Sequence, residues 1–250
     1  MSGCVIYANC QGDGLKLFLH KMGFPHEIVV FRNYQMILGE QKFSDLEEAC
    51  EECSVFIYQP TGDNHREFSS GSLIKKMTIG TQLISFAYLY NHGLHPITEH
   101  GGKFPGSEFI PDKVWRQPLE TILAQYDAGT FNFHLWERYL FCLHEQATRE
   151  AGCLLKVTKW LVEHRKTRLF LNVNHPTSEV FIELARQVTN MMGYPITELR
   201  NYVPENAANL PCSLPFSTYV TSEVGVDRKS DPESELFYRK LLEACWISYQ

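Results

Sequence analysis

The chain has 250 residues, 44% hydrophobic and 21% charged, with a formal net charge of −6. That size permits one large α/β domain or two small ones with a sizeable core. The acidic balance and the lack of a dense Lys/Arg block argue against a nucleic-acid partner, and the longest apolar runs stop short of a membrane span. Met1-Ser2-Gly3 carries no basic n-region, and the eight cysteines are scattered singly through apolar segments, so a cytoplasmic protein with reduced, mostly buried thiols is expected.

Residues 4–8 read as a buried strand and 13–22 as a helix with Leu15, Leu17, Phe18 and Leu19 mostly inward. A second strand follows at 27–31. Ser44 then caps a short acidic helix, "SDLEEACEE", with Glu47 completing a capping box. Val55 to Tyr58 form the third strand, which ends in "QPTGDNH", and "QLISF" at 82–86 the fourth. This alternation predicts a parallel sheet with right-handed crossovers. From 91 to 112 the chain is rich in Gly, Pro and His, and a loop of that length is usually functional or mobile. Helices are expected near 114–127, 132–150 and 153–165, then a strand at "RLFLNV" and a helix that closes on Gly193. Residues 201–230 are loop-rich, and a last helix spans 232–247. The expected architecture is a single α/β domain over 1–250: an open, mostly parallel sheet with flanking helices, a helical insertion at 113–166, and a loop-rich segment with a C-terminal helix at 201–250.

The stretch "CVIYANCQGDGLKLFL" hands the end of the first strand to Cys10. In open parallel sheets, ligands bind at the carboxyl ends of the strands, where loops meet helix N-termini. A helix N-terminus favours a thiolate, and its N–H groups can hold an oxyanion or a phosphate. Asn9 and Gln11 set two amide donors beside the sulfur, and Gly12 and Gly14 let a backbone approach a ligand closely. The alternative is a small buried hydrophobe, the common fate of a free cysteine. A dinucleotide fingerprint is not expected, because the third glycine is missing and Phe31-Arg32 stands where an acidic ribose ligand would sit.

A cysteine nucleophile needs a base, and His175 in "LNVNHPTSEVF" follows an apolar strand and precedes a helix expected to begin at Pro176. On this reading it shares the sheet edge of Cys10, with Asn172 and Asn174 able to orient the ring. The alternative is a histidine that merely caps its helix. Gln59, at the end of the third strand, is a further polar group on that edge, and "TGDNH" beyond it is either a donor set or an ordinary turn. Cys50-Glu-Glu-Cys53 closes an acidic helix rather than opening one, so a structural role is expected instead of redox or zinc chemistry. His92, His95 and His100 fit no standard metal spacing, and no metal is expected. Lys75, Lys76 and Lys103 could meet phosphates or simply be solvated.

At these landmarks, "VIYANCQGDGL", "VFIYQP", "NHGLHP" and "NVNHPT", the chain resembles the WcbI family of polysaccharide-biosynthesis proteins, across most of residues 4–190. The resemblance implies coenzyme A-dependent O-acetyl transfer to a sugar hydroxyl, with coenzyme A or acetyl-CoA as substrate and a carbohydrate as acceptor. It also implies Cys10 as nucleophile and His175 as base, and His95 as a residue lining the cleft. From their positions in the sequence, Asn9, Gln11, Gln59, Asn172 and Asn174 are the candidate oxyanion or orienting groups, and Gly12, Gly14 and Thr177, with His95, the candidate cofactor or substrate contacts. Ala8 departs from the family's usual glycine before N-C-Q. The topology is also similar to that of the SGNH hydrolases, although Asn172 stands where their D-x-x-H aspartate would be. Alternatives are a cysteine-dependent hydrolase on the same machinery, and a non-catalytic coenzyme A- or glycan-binding module.

Overall fold

Apolar runs and amphipathic stretches alternate through the first third of the chain as β1 (Gly3–Ala8), α1 (Gln11–Lys21), β2 (Glu27–Arg32), α2 (Asn33–Ile37), α3 (Phe43–Glu52), β3 (Cys53–Tyr58), α4 (Ser70–Ile74) and β4 (Gln82–Ser85). The computed structural model describes residues 3–195, 213–227 and 232–250. The four strands form one all-parallel sheet of order β2-β1-β3-β4. The last five residues of β1 are all buried, as a strand covered on both faces must be. Alternate β1 side chains serve the two faces: Ile6 and Ala8 lie under Gly12 of α1, whereas Val5 and Tyr7 join Leu46, Cys50 and Leu73 on the other side. The expected open α/β class is therefore observed, with helices flanking a parallel sheet.

The elements that follow are α5 (Asp112–Trp115), α6 (Leu119–Asp127), α7 (Leu135–Glu150), α8 (Thr158–Glu163), β5 (Phe170–Asn172), β6 (His175–Pro176), α9 (Ser178–Met191), α10 (Thr218–Val224) and α11 (Pro232–Ser248). The described chain divides into two compact units. The first holds the residues through Tyr88, Gln146–Lys159 and α9, and the second holds Leu89–Glu145, Trp160–Thr177 and the described residues from Ser213 onward. The segment expected as a helical insertion, 113–166, is shared between them. Of the segment expected to be loop-rich, residues 201–212 and 228–230 lie outside the described residues. Among the described residues, no helix is long and apolar enough to cross a membrane.

Four local expectations are corrected. "RLFLNV" does not extend the sheet; β5 pairs antiparallel with β6 in a separate two-stranded hairpin. Its carbonyls are taken instead by the Arg168 guanidinium, which donates to Phe170 O at 3.1 Å and Leu171 O at 2.8 Å, and by Leu214 N–H at 2.8 Å. Pro176 consequently lies in β6, and the helix opens at Ser178. Ser44 is no cap: α3 begins at Phe43, Ser44 bonds Asp45, and Glu47 pairs with Lys76. Leu17 is 47% exposed, since the packed face of α1 is set by Leu15, Phe18 and Leu19.

Candidate active site

The first unit builds the surroundings of Cys10. Because β1 ends at Ala8 and α1 begins at Gln11, only Asn9 and Cys10 make the turn, and Cys10 already has helical dihedrals (φ −55°, ψ −17°). The open helix end expected there is closed by the protein itself. Gln11 N–H donates to Asn9 Oδ1 at 2.9 Å, Gly12 N–H to Asn9 O at 2.9 Å, and Asp13 N–H to Cys10 O at 3.2 Å. Asn9 is thus the side chain that caps α1, and oxyanion contacts from these backbone groups are not on offer.

The side-chain amides are arranged around the turn instead. Asn9 N–H donates to Gln59 Oε1 at 2.9 Å, and Gln59 Nε2 donates to Gln11 Oε1 at 3.0 Å. A backbone N–H can only donate, so the oxygens of Asn9 and Gln59 are fixed as acceptors, and the NH2 of Gln59 must face Gln11. Gln11 and Gln59 are buried, 2% and 3% exposed. Asn9, Gln11 and Gln59 therefore form a closed, oriented ring of amides at the end of the two central strands. Cys10 is half-buried, whereas the other described cysteines, Cys4, Cys50, Cys53, Cys142, Cys153 and Cys245, are buried.

Gly12 and Gly14 are accounted for by packing. A Cβ on Gly12 would lie 3.1 Å from Ile6 and 3.2 Å from Ala8, and one on Gly14 would lie 2.6 Å from the Phe181 ring of α9. The first turn of α1 thereby rests against the first turn of α9, where Phe18 also stacks on Phe181. "TGDNH" takes the turn alternative, running into a 3-10 helix at Asp63–Phe68. Lys76 is engaged by Glu47, and Lys103 closes a tight backbone pairing with His100. Cys53 Sγ donates to Cys50 O at 3.4 Å, and burial pushes these thiols up to about 11 and about 12 respectively. Among the described residues no group of three or more His, Cys, Asp or Glu could hold a metal ion.

The second unit positions His175. Asn172 Oδ1 accepts from the N–H groups of Asn174 and His175, each at 3.0 Å, and lies 2.9 Å from His175 Nδ1. Two backbone donors fix this atom as the oxygen, so His175 must present Nδ1–H to it, which leaves Nε2 as the lone-pair nitrogen. Burial also lowers the pKa of the half-buried ring, favouring the neutral base. An amide in this position sets the tautomer without supplying a carboxylate's charge. Asn174 contributes its backbone N–H to this turn, and Thr177 N–H donates to Leu169 O at 2.9 Å while its buried hydroxyl has no hydrogen-bond partner among the described residues.

His95 is only 1% exposed, its ring enclosed by protein. A residue that the sequence reading passed over, Arg138, explains the loop around it. Its wholly buried guanidinium donates to the carbonyls of His92 (3.0 Å), His95 (2.9 Å) and Pro96 (2.6 Å). Its signal in the sequence was slight, one arginine between Trp136, Tyr139 and Phe141 of α7, whose polarity matches an exposed face equally well.

Comparison with known proteins bears on these residues directly. Residues 3–111 match the model of a family described as polysaccharide biosynthesis enzyme WcbI. Over that segment the chain is similar to this family. The WcbI-like segment contains Asn9, Cys10, Gln11, Gln59 and His95 and stops before Asn172 and His175. A solved structure of WcbI has the same fold, with a TM-score of 0.68 at 20% identity over 99% of this chain and 92% of that one. It is described as a novel polysaccharide biosynthesis enzyme, the native protein without a disulfide bond between coenzyme A and one of its cysteines. A comparison with curated proteins found no match.

Proposed function

We propose that this protein transfers an acetyl or other acyl group from coenzyme A to a hydroxyl, that of a sugar or polysaccharide precursor, with Cys10 as nucleophile and His175 as base. The observation that carries this reading is the setting of Cys10: half-buried among buried cysteines, at the carboxyl end of a central strand, beside a ring of oriented amides. The likeness to WcbI supports it, since a structure of that protein is described by reference to a disulfide between coenzyme A and a cysteine. The tautomer of His175, with Nε2 as proton acceptor, supports the role of base.

In the proposed chemistry His175 Nε2 takes the thiol proton of Cys10. The sulfur attacks the thioester carbonyl, the bond from that carbon to the coenzyme A sulfur breaks, and the departing thiolate recovers the proton from His175. The acyl group is now on Cys10. An acceptor hydroxyl then gives its proton to His175, attacks the acyl carbon and breaks its bond to Cys10 sulfur, which is reprotonated. Because the first N–H groups of α1 are engaged, the transient oxyanion falls to the side-chain N–H groups of Asn9 and Gln11.

The test is intact-mass analysis after mixing the protein with acetyl-CoA and no acceptor. Acetylation of wild-type protein at Cys10, absent from Cys10→Ala, is expected, with loss of turnover in that variant. His175→Asn should lower kcat by about 10²–10⁴-fold and leave binding largely intact. Near-normal transfer by Cys10→Ala overturns the covalent route, and release of free acetate in the presence of sugar acceptors turns the reading into a hydrolase.

A further inference from the structure

The turn that holds His175 is itself held from outside. Asn91 N–H donates to Val173 O at 2.7 Å, and Val173 lies inside the turn in which Asn172 Oδ1 accepts from Asn174 N–H, His175 N–H and His175 Nδ1. Asn91 opens a loop, 91–96, in the same unit of the chain. Within the loop, Gly93 N–H donates to Asn91 Oδ1 at 2.8 Å and His95 N–H to His92 O at 3.2 Å. The carbonyls of His92, His95 and Pro96 converge on the buried guanidinium of Arg138, at 3.0, 2.9 and 2.6 Å. That guanidinium has little room to move: a Cβ on Gly106 would lie 2.3 Å from Nη2, and the Phe109 ring centroid lies 5.5 Å from Cζ. The loop also rests directly on α7, where a Cβ on Gly93 would lie 2.3 Å from Tyr139 Cα.

We infer that Arg138 is a positioning residue for His175, acting through the 91–96 loop and its Asn91–Val173 hydrogen bond. The planar fork of a guanidinium fixes several carbonyls at once, which an ammonium or an apolar side chain cannot do. Arg138 locks the loop onto α7, and Asn91 N–H, at the start of that loop, locks the Val173 carbonyl. The 172–175 turn then keeps Asn172 Oδ1 against Nδ1–H of His175, with Nε2 as the proton acceptor. Burial lowers the pKa of Arg138 only to about 10, so at neutral pH it stays a charged donor, whose hydrogen bonds are stronger than those of a neutral amide. The inference rests on the reading of His175 as base, and it gives a task at that site to a charge that is costly to bury.

The test reads both ends of this linkage in the labelled full-length protein: amide exchange of Asn91, and the His175 tautomer by long-range ¹H–¹⁵N correlation of the histidine rings. The wild type is expected to show a slowly exchanging Asn91 N–H and His175 in the Nδ1–H form. Arg138→Met, which fills the place with an unbranched apolar chain, should speed Asn91 exchange by about tenfold or more and shift His175 toward a mixture with Nε2–H. It should also lower kcat by about 10–10²-fold at nearly constant KM. A folded Arg138→Met variant with an unchanged His175 tautomer overturns the inference. Should that variant fail to fold, Asn91→Ala decides, because it loosens the same loop by removing only the acceptor of Gly93 N–H: mixed His175 tautomers support the inference, and a single Nδ1–H form overturns it. A wild type without acyl transfer whose His175 tautomer still depends on Arg138 sinks the transferase reading and keeps the positioning role. Acyl transfer by a wild type whose tautomer is indifferent to Arg138 does the reverse.

Discussion

Gln59 closes the amide ring at the end of β1 and β3, and it is the residue at which that ring is most open to test. Replacing it by Leu leaves Asn9 N–H and Gln11 Oε1 without their partners in a buried place, and an unsatisfied buried group costs about 1–3 kcal/mol. Chemical denaturation should show a loss of that order for Gln59→Leu and a smaller one for Gln59→Glu, which can still accept from Asn9. A second prediction concerns acid. Burial lowers the pKa of His175, His95 and His92, the last from 6.5 to about 4. The unfolded chain therefore binds more protons than the folded one below about 6.5, and stability should fall as the pH drops from there toward 4. His92 packs edge-on against Tyr90 at 4.4 Å, so His92→Phe should keep the ring contact and flatten the pH dependence of the urea midpoint.

At the scale of elements, the contact between α1 and α9 depends on a missing side chain. Gly14→Ala gains helix propensity of up to about 1 kcal/mol, but its Cβ would lie 2.6 Å from the Phe181 ring. Overpacking costs about 1–3 kcal/mol, so net destabilisation is expected, and Phe181→Leu should relieve it in a double-mutant cycle. Helix α7 depends on a cap borrowed from another helix. Glu223 of α10 accepts Phe133 N–H at 3.2 Å and Leu135 N–H at 2.7 Å through its two oxygens. Glu223→Ala should cost about 1 kcal/mol, the usual worth of a cap, measured by thermal or urea unfolding.

For the whole molecule, the chain crosses between the two units at Tyr88, Glu145, Lys159 and Thr177. Neither unit is a continuous stretch able to unravel from one end, so one cooperative unfolding transition is expected. Cysteines report on both units: Cys4, Cys50, Cys53 and Cys153 lie in the first, Cys142 and Cys245 in the second, and all six are buried. Alkylation of the native protein should label Cys10 before these six, and rising urea should expose the six together. Labelling of one unit's thiols at clearly lower urea would show that the units unfold separately.

The sequence by itself determined the elements whose apolar pattern is long and regular. The four sheet strands, their parallel order of connection, α1, α7, α9 and α11 all follow from periodicity, because local burial demands the same residues that the pattern displays. It also offered Cys10 and His175 as candidates, since few residue types perform nucleophilic and base chemistry and these stand at chain turns. Tertiary structure decided the rest. The strand-like "RLFLNV" left the sheet because Arg168 and Leu214 occupy its carbonyls. The backbone donors expected at Cys10 were taken by Asn9 and by the turn itself. Asn9, Gln59 and Arg138 owe their roles to partners as many as 50 positions away. Hydrogen-bond partners so distant in the chain are set by how the elements pack, and no window of neighbouring residues contains them.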